Sequence, residues 1–233
     1  MFTGSGDVFE KILGLTIFAI PVVLAITLHE AAHAYAAYRL GDNTAKLQGR
    51  VSLNPLVHVD PVGTILMPLI LYLLGGFIFG YAKPVPVRFD RLNNPRRDSV
   101  LVALAGPGAN IFLALMGGLL LHIGAVLPGF VGDWFVQNLL VLIFFNTFLA
   151  VLNMLPIPPL DGGRVAVGLL PYRQARSLAQ IEPYGIFILI AIIIIIPMFF
   201  DALGIGFDPG DFLVRKPAEY LAGLVFLLTG AGS

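Results

Sequence analysis

The sequence predicts an all-α polytopic membrane protein with five or six transmembrane helices, a re-entrant hairpin in the five-helix reading, and a short membrane-associated β element. Three observations predict it. The 233 residues are 58% hydrophobic and only 12% charged, and the mean hydropathy is +0.89, more apolar than the surface of a soluble domain permits. The apolar residues gather in runs of membrane-crossing length. The polar stretches between them are turn-rich and none exceeds about 20 residues, well below domain size. A single integral-membrane domain over 1–233, with no soluble domain, is the expectation.

The first apolar run covers 8–40, long enough to span with turns to spare, and Gly41 is a plausible stop. Asp7, Glu10 and Lys11 do not make the basic start of a cleavable signal, so this helix is expected to persist. Residues 41–60 are polar, with Asn54-Pro55 and Asp60-Pro61, and Val51 and Leu53 are candidates for short strands. A strand edge within 45–60 would suit capture of an extended segment by strand addition. The run at 62–80 contains Pro68 and Gly75-Gly76. Lys83-Pro84-Val85-Pro86-Val87 is extended, because each proline biases its predecessor away from helix. Further apolar runs cover 99–123, 134–155, 184–200 and 217–229, with a proline- and glycine-rich break at 156–163.

Charge argues the topology. Basic residues collect at 39–50, 83–97 and 164–176, whereas 124–133 and 201–213 have none. The positive-inside rule places the basic stretches in the cytoplasm. That requires 62–80 to enter and leave on one side, as a hairpin shielded by protein; six full spans is the other reading. Acidic and basic residues balance at 14 each, so nothing points to nucleic acid. There is no cysteine, which excludes a disulfide framework and leaves histidine and carboxylate as the ligands for any metal.

His29-Glu30-Ala31-Ala32-His33 is the pattern H-E-x-x-H. Residues four apart share a helix face, so both imidazoles reach one ion, and Glu30 lies one step round, placed to touch metal-bound water without ligating. Ionisable residues inside an apolar helix are costly and mark function. The competing reading is a wetted helix end. Ala31, Ala32, Ala34, Ala36 and Ala37 are small enough to admit close neighbours, or serve helix propensity alone. Catalytic zinc takes three protein ligands, and Asp161, after the broken stretch Pro156-Ile157-Pro158-Pro159-Leu160 and before Gly162-Gly163, leads the candidates for the third. An ordinary helix-capping aspartate fits the local pattern equally well.

H-E-x-x-H on an early membrane helix, with a late Asn153-x-x-Pro156-x-x-x-x-Asp161-Gly162, resembles the site-2 protease family of intramembrane metalloproteases. Leu104-Ala105-Gly106-Pro107-Gly108-Ala109-Asn110 resembles a further segment of it. Arg50-Val-Ser-Leu-Asn54-Pro55 and Lys83-Pro84-Val85-Pro86-Val87 resemble its compact branch without PDZ or CBS domains. The resemblance implies one Zn²⁺ per chain, held by His29, His33 and Asp161, with Glu30 as the catalytic base. It also implies that Asn153, with Pro156 and Gly162, binds substrate or shapes the site. The expected function is an intramembrane zinc endopeptidase acting on transmembrane protein substrates, in the cell membrane, with its active site nearer the cytoplasmic side. Its partners are those substrates and the lipid bilayer.

His58 either caps a turn or acts as a gate or extra metal ligand. Asn110 and Asn146 are expected to hydrogen-bond between helices, and His122 and Trp134 to sit at the interface. Two other functions compete. A transporter or channel for metal ions or protons would use a midplane polar site, but no repeat symmetry supports one. A non-catalytic membrane scaffold has no need of Glu30.

Overall fold

The computed structural model describes residues 4–60, 63, 66 and 83–232. The hairpin expected over 62–80 therefore lies almost wholly outside the described residues. The main helices are α1 (Gly4–Arg39), α2 (Thr44–Leu47), α3 (Pro95–Gly124), α4 (Gly129–Asn153), α5 (Asp161–Leu169) and α6 (Tyr172–Ala179). They are followed by α7 (Gly185–Ile190), α8 (Ile196–Ala202) and α9 (Lys216–Thr229). The isoleucine run Ala191–Ile195 joins α7 to α8 as a π-helical turn.

Among the described residues, four segments are long and apolar enough to cross a membrane: Ile12–Arg39, Pro95–Gly124, Gly129–Asn153 and Tyr172–Ala202. The protein is a multi-pass membrane protein. The run expected at 217–229 forms α9, which continues without a break from a π-helical turn over Asp211–Arg215, so the helical stretch covers 209–229, about the length needed to span, with Asp211, Arg215, Lys216 and Glu219 in its first half. Large side chains such as Leu15, Phe18, Phe112, Phe187 and Leu227 are exposed on the outside of the helices, a distribution that lipid rewards and water does not.

Helices α1, α3 and α4 pack against one another, and α9 lies against α3 and α4. Ala114, Ile143, Ala222 and Val225 make the core between α3, α4 and α9. Lipid gives no hydrophobic drive for helix association, so close packing and polar contacts supply it. A Cβ on Gly117 would stand 3.0 Å from Ile143, and one on Gly118 would stand 2.6 Å from Thr229. His122 Nε2 meets the Thr229 carbonyl at 2.8 Å. Trp134 Nε1 donates to Thr16 Oγ1 at 3.0 Å, tying α4 to α1. Both rings expected at the interface thus hold helices together.

No strand forms among the described residues. The strand edge expected within 45–60 is not there: 44–47 is helical, and Asn54 Oδ1 accepts the Leu56 N–H and starts a tight turn over Pro55–Val57. An Asn before Pro offers its own backbone a turn in place of a ladder.

The α1 terminus and the segment 83–93 build each other. Gly41 has φ +111°, which a side chain tolerates poorly, and Asn93 Oδ1 would stand 2.8 Å from a Cβ there. The chain reverses, and Asp42, wholly buried, accepts hydrogen bonds from the Thr44 N–H at 2.9 Å and the Arg88 N–H at 2.6 Å. Burial pushes the Asp42 carboxyl up, but the Thr44 hydroxyl, which also donates to it, together with these backbone bonds outweighs burial and holds the group below its usual value. The Asn93 N–H donates to Leu40 O at 2.9 Å. Val85 packs with Ala34 and Ala45, and Leu92 with Ala37 and Val102. The alanines of α1 therefore admit an extended strap on one side and α3 on another.

Candidate metal centre

His29 and His33 project from one face of α1, as their spacing requires. Their Nε2 atoms lie 3.0 Å apart. Asp161 Oδ2 lies 3.2 Å from His29 Nε2 and 3.3 Å from His33 Nε2. Residues 132 positions apart in sequence thus close a triangle with nearly equal sides. Two imidazoles and a carboxylate can hold a metal here. Tetrahedral zinc with bonds of about 2.0–2.1 Å sets its ligand atoms about 3.3 Å apart, so this triangle fits one face of the tetrahedron and leaves the fourth position open. The donor set is hard-to-borderline N and O, which zinc accepts. Asp161 Oδ2 is buried and has no hydrogen-bond donor of its own, which the fit to a cation explains.

The break after α4 brings Asp161 into place. Its prolines stop α4, and Leu160 N–H closes a turn on Ile157 O at 2.9 Å. The new helix α5 begins at Asp161 itself and folds back on that turn. A Cβ on Gly162 would overlap the Met154 carbonyl, and one on Gly163 would stand 2.6 Å from the Ile157 carbonyl carbon. Gly162 thus shapes the site through close backbone approach. Pro156 is exposed and does not line the cavity, whereas Asn153 does, its amide donating to Leu149 O at 3.0 Å.

The cavity, about 150 Å³, is lined by His29, Glu30, His33, Asn153, Asp161 and Arg164, with Pro84 and Val85 of the strap. Glu30 is beside the three ligand atoms without joining them, and its Oε2 accepts the Val85 N–H at 3.0 Å. Arg164 lies over the Phe89 ring at 5.3 Å. His58 is elsewhere: it ends the turn Pro55–Val57, with its Nε2 3.0 Å from Ser52 O. Four contributors escaped the sequence reading: Val85 N–H, Arg164, the Val102 carbonyl, which meets His33 Nδ1 at 2.7 Å, and Gly106, whose absent side chain makes room for both imidazoles. Val102, Gly106 and Asn110 recur every four residues and so share a face of α3, and Gly106 and Val85 stand in segments that carry the family resemblance, but neither signal names a role in the site.

Helices that cross a membrane around a His–His–Asp triangle, with a carboxylate beside it, define a membrane-embedded metalloprotease class. The chain belongs to peptidase family M50, the site-2 protease family of zinc metalloproteases. Residues 129–196, from the start of α4 into α8 and including Asp161, match the model of that family, described as Peptidase family M50. The chain is 40% identical over 183 residues to the candidate zinc metalloprotease YwhC of Bacillus subtilis, covering 77% of this chain and 80% of YwhC. It is 34% identical over 179 residues to the candidate zinc metalloprotease Rip2 of Mycolicibacterium smegmatis, covering 75% of this chain and 65% of that protein. Against Rip2 of Mycobacterium tuberculosis H37Rv it is 31% identical over 171 residues, 73% of this chain and 63% of the relative. No solved structure matches the chain.

Proposed function

We propose that this chain is an intramembrane zinc endopeptidase in which His29, His33 and Asp161 hold the metal and Glu30 is the catalytic base. Its substrates are transmembrane proteins, cut within or near their spans. The observation that carries the reading is the triangle of Nε2, Nε2 and Oδ2 atoms with sides of 3.0–3.3 Å, opening on a cavity that Glu30 also lines.

Zinc bound there supplies Lewis acidity toward water and toward a carbonyl. Glu30 takes the proton of the attacking water and returns it to the leaving amide nitrogen. The Val85 N–H on Oε2 fixes the carboxylate plane and leaves Oε1 for that proton. Asn153 and Arg164 line the same cavity, and their side-chain amide and guanidinium are the groups there able to hydrogen-bond a substrate backbone. A substrate helix must unwind first, because a helical peptide bond is shielded and its carbonyl already hydrogen-bonded.

The proposal extends to topology: five spans and a re-entrant hairpin at 62–80 in the cell membrane, with the site nearer the cytoplasm. The basic clusters support it through the positive-inside rule. Two crossings and a hairpin between His33 and Asp161 return the chain to the same side; three crossings would not. A cysteine at Leu74 is expected to resist labelling from the outer face, and outer-face labelling would overturn the hairpin.

The metal assignment is tested by elemental analysis of detergent-purified protein. Wild type is expected to hold near one zinc per chain and Asp161→Ala much less. Folded wild type that takes up no zinc would sink the protease mechanism. Equal zinc in both would retain a metal site with another third ligand.

A further inference from the structure

His29 and His33 are both anchored to α3 through Nδ1, but by different kinds of acceptor. His33 Nδ1 meets the Val102 carbonyl. A carbonyl only accepts, so this nitrogen carries the proton. His29 Nδ1 meets Asn110 Oδ1 at 2.6 Å, and a side-chain amide can present either end. The orientation of Asn110 is decided one helix further away. Asn146 Nδ2 donates to Leu142 O at 2.7 Å within α4, which turns the Asn146 oxygen toward α3. Asn110 Nδ2 then donates to Asn146 Oδ1 at 2.8 Å and to Ala25 O at 3.3 Å. With both amide protons directed to acceptors, Asn110 can show His29 only its oxygen.

The consequence reaches the metal centre. His29 Nδ1 must be the protonated nitrogen, and Nε2 keeps its lone pair toward His33 Nε2 and Asp161 Oδ2. Asn110 and Asn146 are both 0% exposed, so no solvent offers a substitute partner. Flipping either amide would set donor against donor or acceptor against acceptor in a dry interior, where an unmatched polar group is most costly. Asn138, also on α4, bonds to Trp134 O in its own helix and takes no part.

We propose that Asn110, with its amide orientation fixed by Asn146, is a positioning residue that sets the tautomer and ring angle of His29. This rests on the reading of His29 as a zinc ligand. Three helices then share one directional relay, Leu142 carbonyl to Asn146 to Asn110 to His29. A purely structural pair of asparagines would hold α3 to α4 without caring which imidazole nitrogen bears the proton.

The test uses the full chain in detergent, with two readouts. Zinc affinity is measured by chelator competition, and nitrogen shifts of ¹⁵N-histidine report the tautomer in the metal-free protein. Asn110→Leu is expected to weaken zinc about 10–100-fold, the usual cost of losing the outer partner of a ligating histidine. Asn146→Leu is expected to weaken it less, and to add little on the Asn110→Leu background, because both act through one relay. Asn138→Leu is expected to bind as wild type does. In the wild-type apoprotein His29 Nδ1 is expected to be protonated, and in both relay variants the proton moves in part to Nε2. Wild-type affinity in folded Asn110→Leu, or an unprotonated His29 Nδ1 in the wild type, would overturn the proposal. If Asn110→Leu does not fold, Asn146→Leu and the wild-type spectrum decide it. Zinc binding unchanged by His29→Ala would sink the ligand assignment instead, and the nitrogen shifts would still decide the tautomer.

Discussion

Replacing Glu30 with glutamine is expected to leave zinc near one per chain and to cut peptide hydrolysis by about 10²- to 10⁴-fold, the usual contribution of a positioned base. Glutamine keeps the shape of glutamate and an oxygen to accept the Val85 N–H, so the strap stays in place. What it loses is the capacity to take a proton. Glu30 is not among the three atoms that form the triangle, so the metal has no reason to leave. Turnover of a membrane-embedded model substrate and zinc content, measured on one preparation, separate the outcomes. Unchanged turnover would remove Glu30 from the proton path. Loss of zinc with loss of activity would make it a ligand.

The second large effect is expected at Gly106, which touches no substrate. A Cβ there would overlap His33 Nε2 and stand 2.6 Å from His29 Cε1. Neither ring can swing away cheaply, because Val102 and Asn110 hold their far nitrogens from the turns on either side. Gly106→Ala must therefore move α3 off α1 or push an imidazole out of the triangle. Zinc affinity is expected to fall at least as far as the roughly 100-fold that loss of an outer partner can cost. Gly108 provides the control, since a Cβ there meets nothing within 4 Å; Gly108→Ala is expected to bind zinc normally. Equal affinity in the two variants would show that the helices do not approach at Gly106 as described.

Much of the centre was legible because it is local. A four-residue spacing sets two imidazoles on one helix face whatever surrounds the helix, so His29 and His33 follow from the pattern, and Glu30 beside them. The stop at Gly41 and the break at 156–160 are local in the same sense, written in glycine and proline. Asp161 was different. Its neighbours in sequence fit a helix cap as well as a ligand, and only the family resemblance favoured the second. The strand edge expected at 45–60 does not form because the turn at Asn54-Pro55, itself visible in the sequence, prevails over the alternation of Val51 and Leu53.

By itself, then, the sequence determined that the chain is membrane-embedded, that one helix carries two imidazoles on one face with a carboxylate beside them, and that any third ligand is not a thiol. The tertiary structure decided which distant groups complete the site. Asp161 reaches the pair because Gly162 and Gly163 let α5 fold against the turn that precedes it. Val85 meets Glu30 because Asp42 and Leu40 pin the strap to the end of α1. Asn146 influences His29 because α3 and α4 bury a pair of amides that can satisfy each other in only one orientation. Helix periodicity is a property of neighbouring residues, whereas these contacts depend on how closely backbones approach, and no spacing along one chain encodes that.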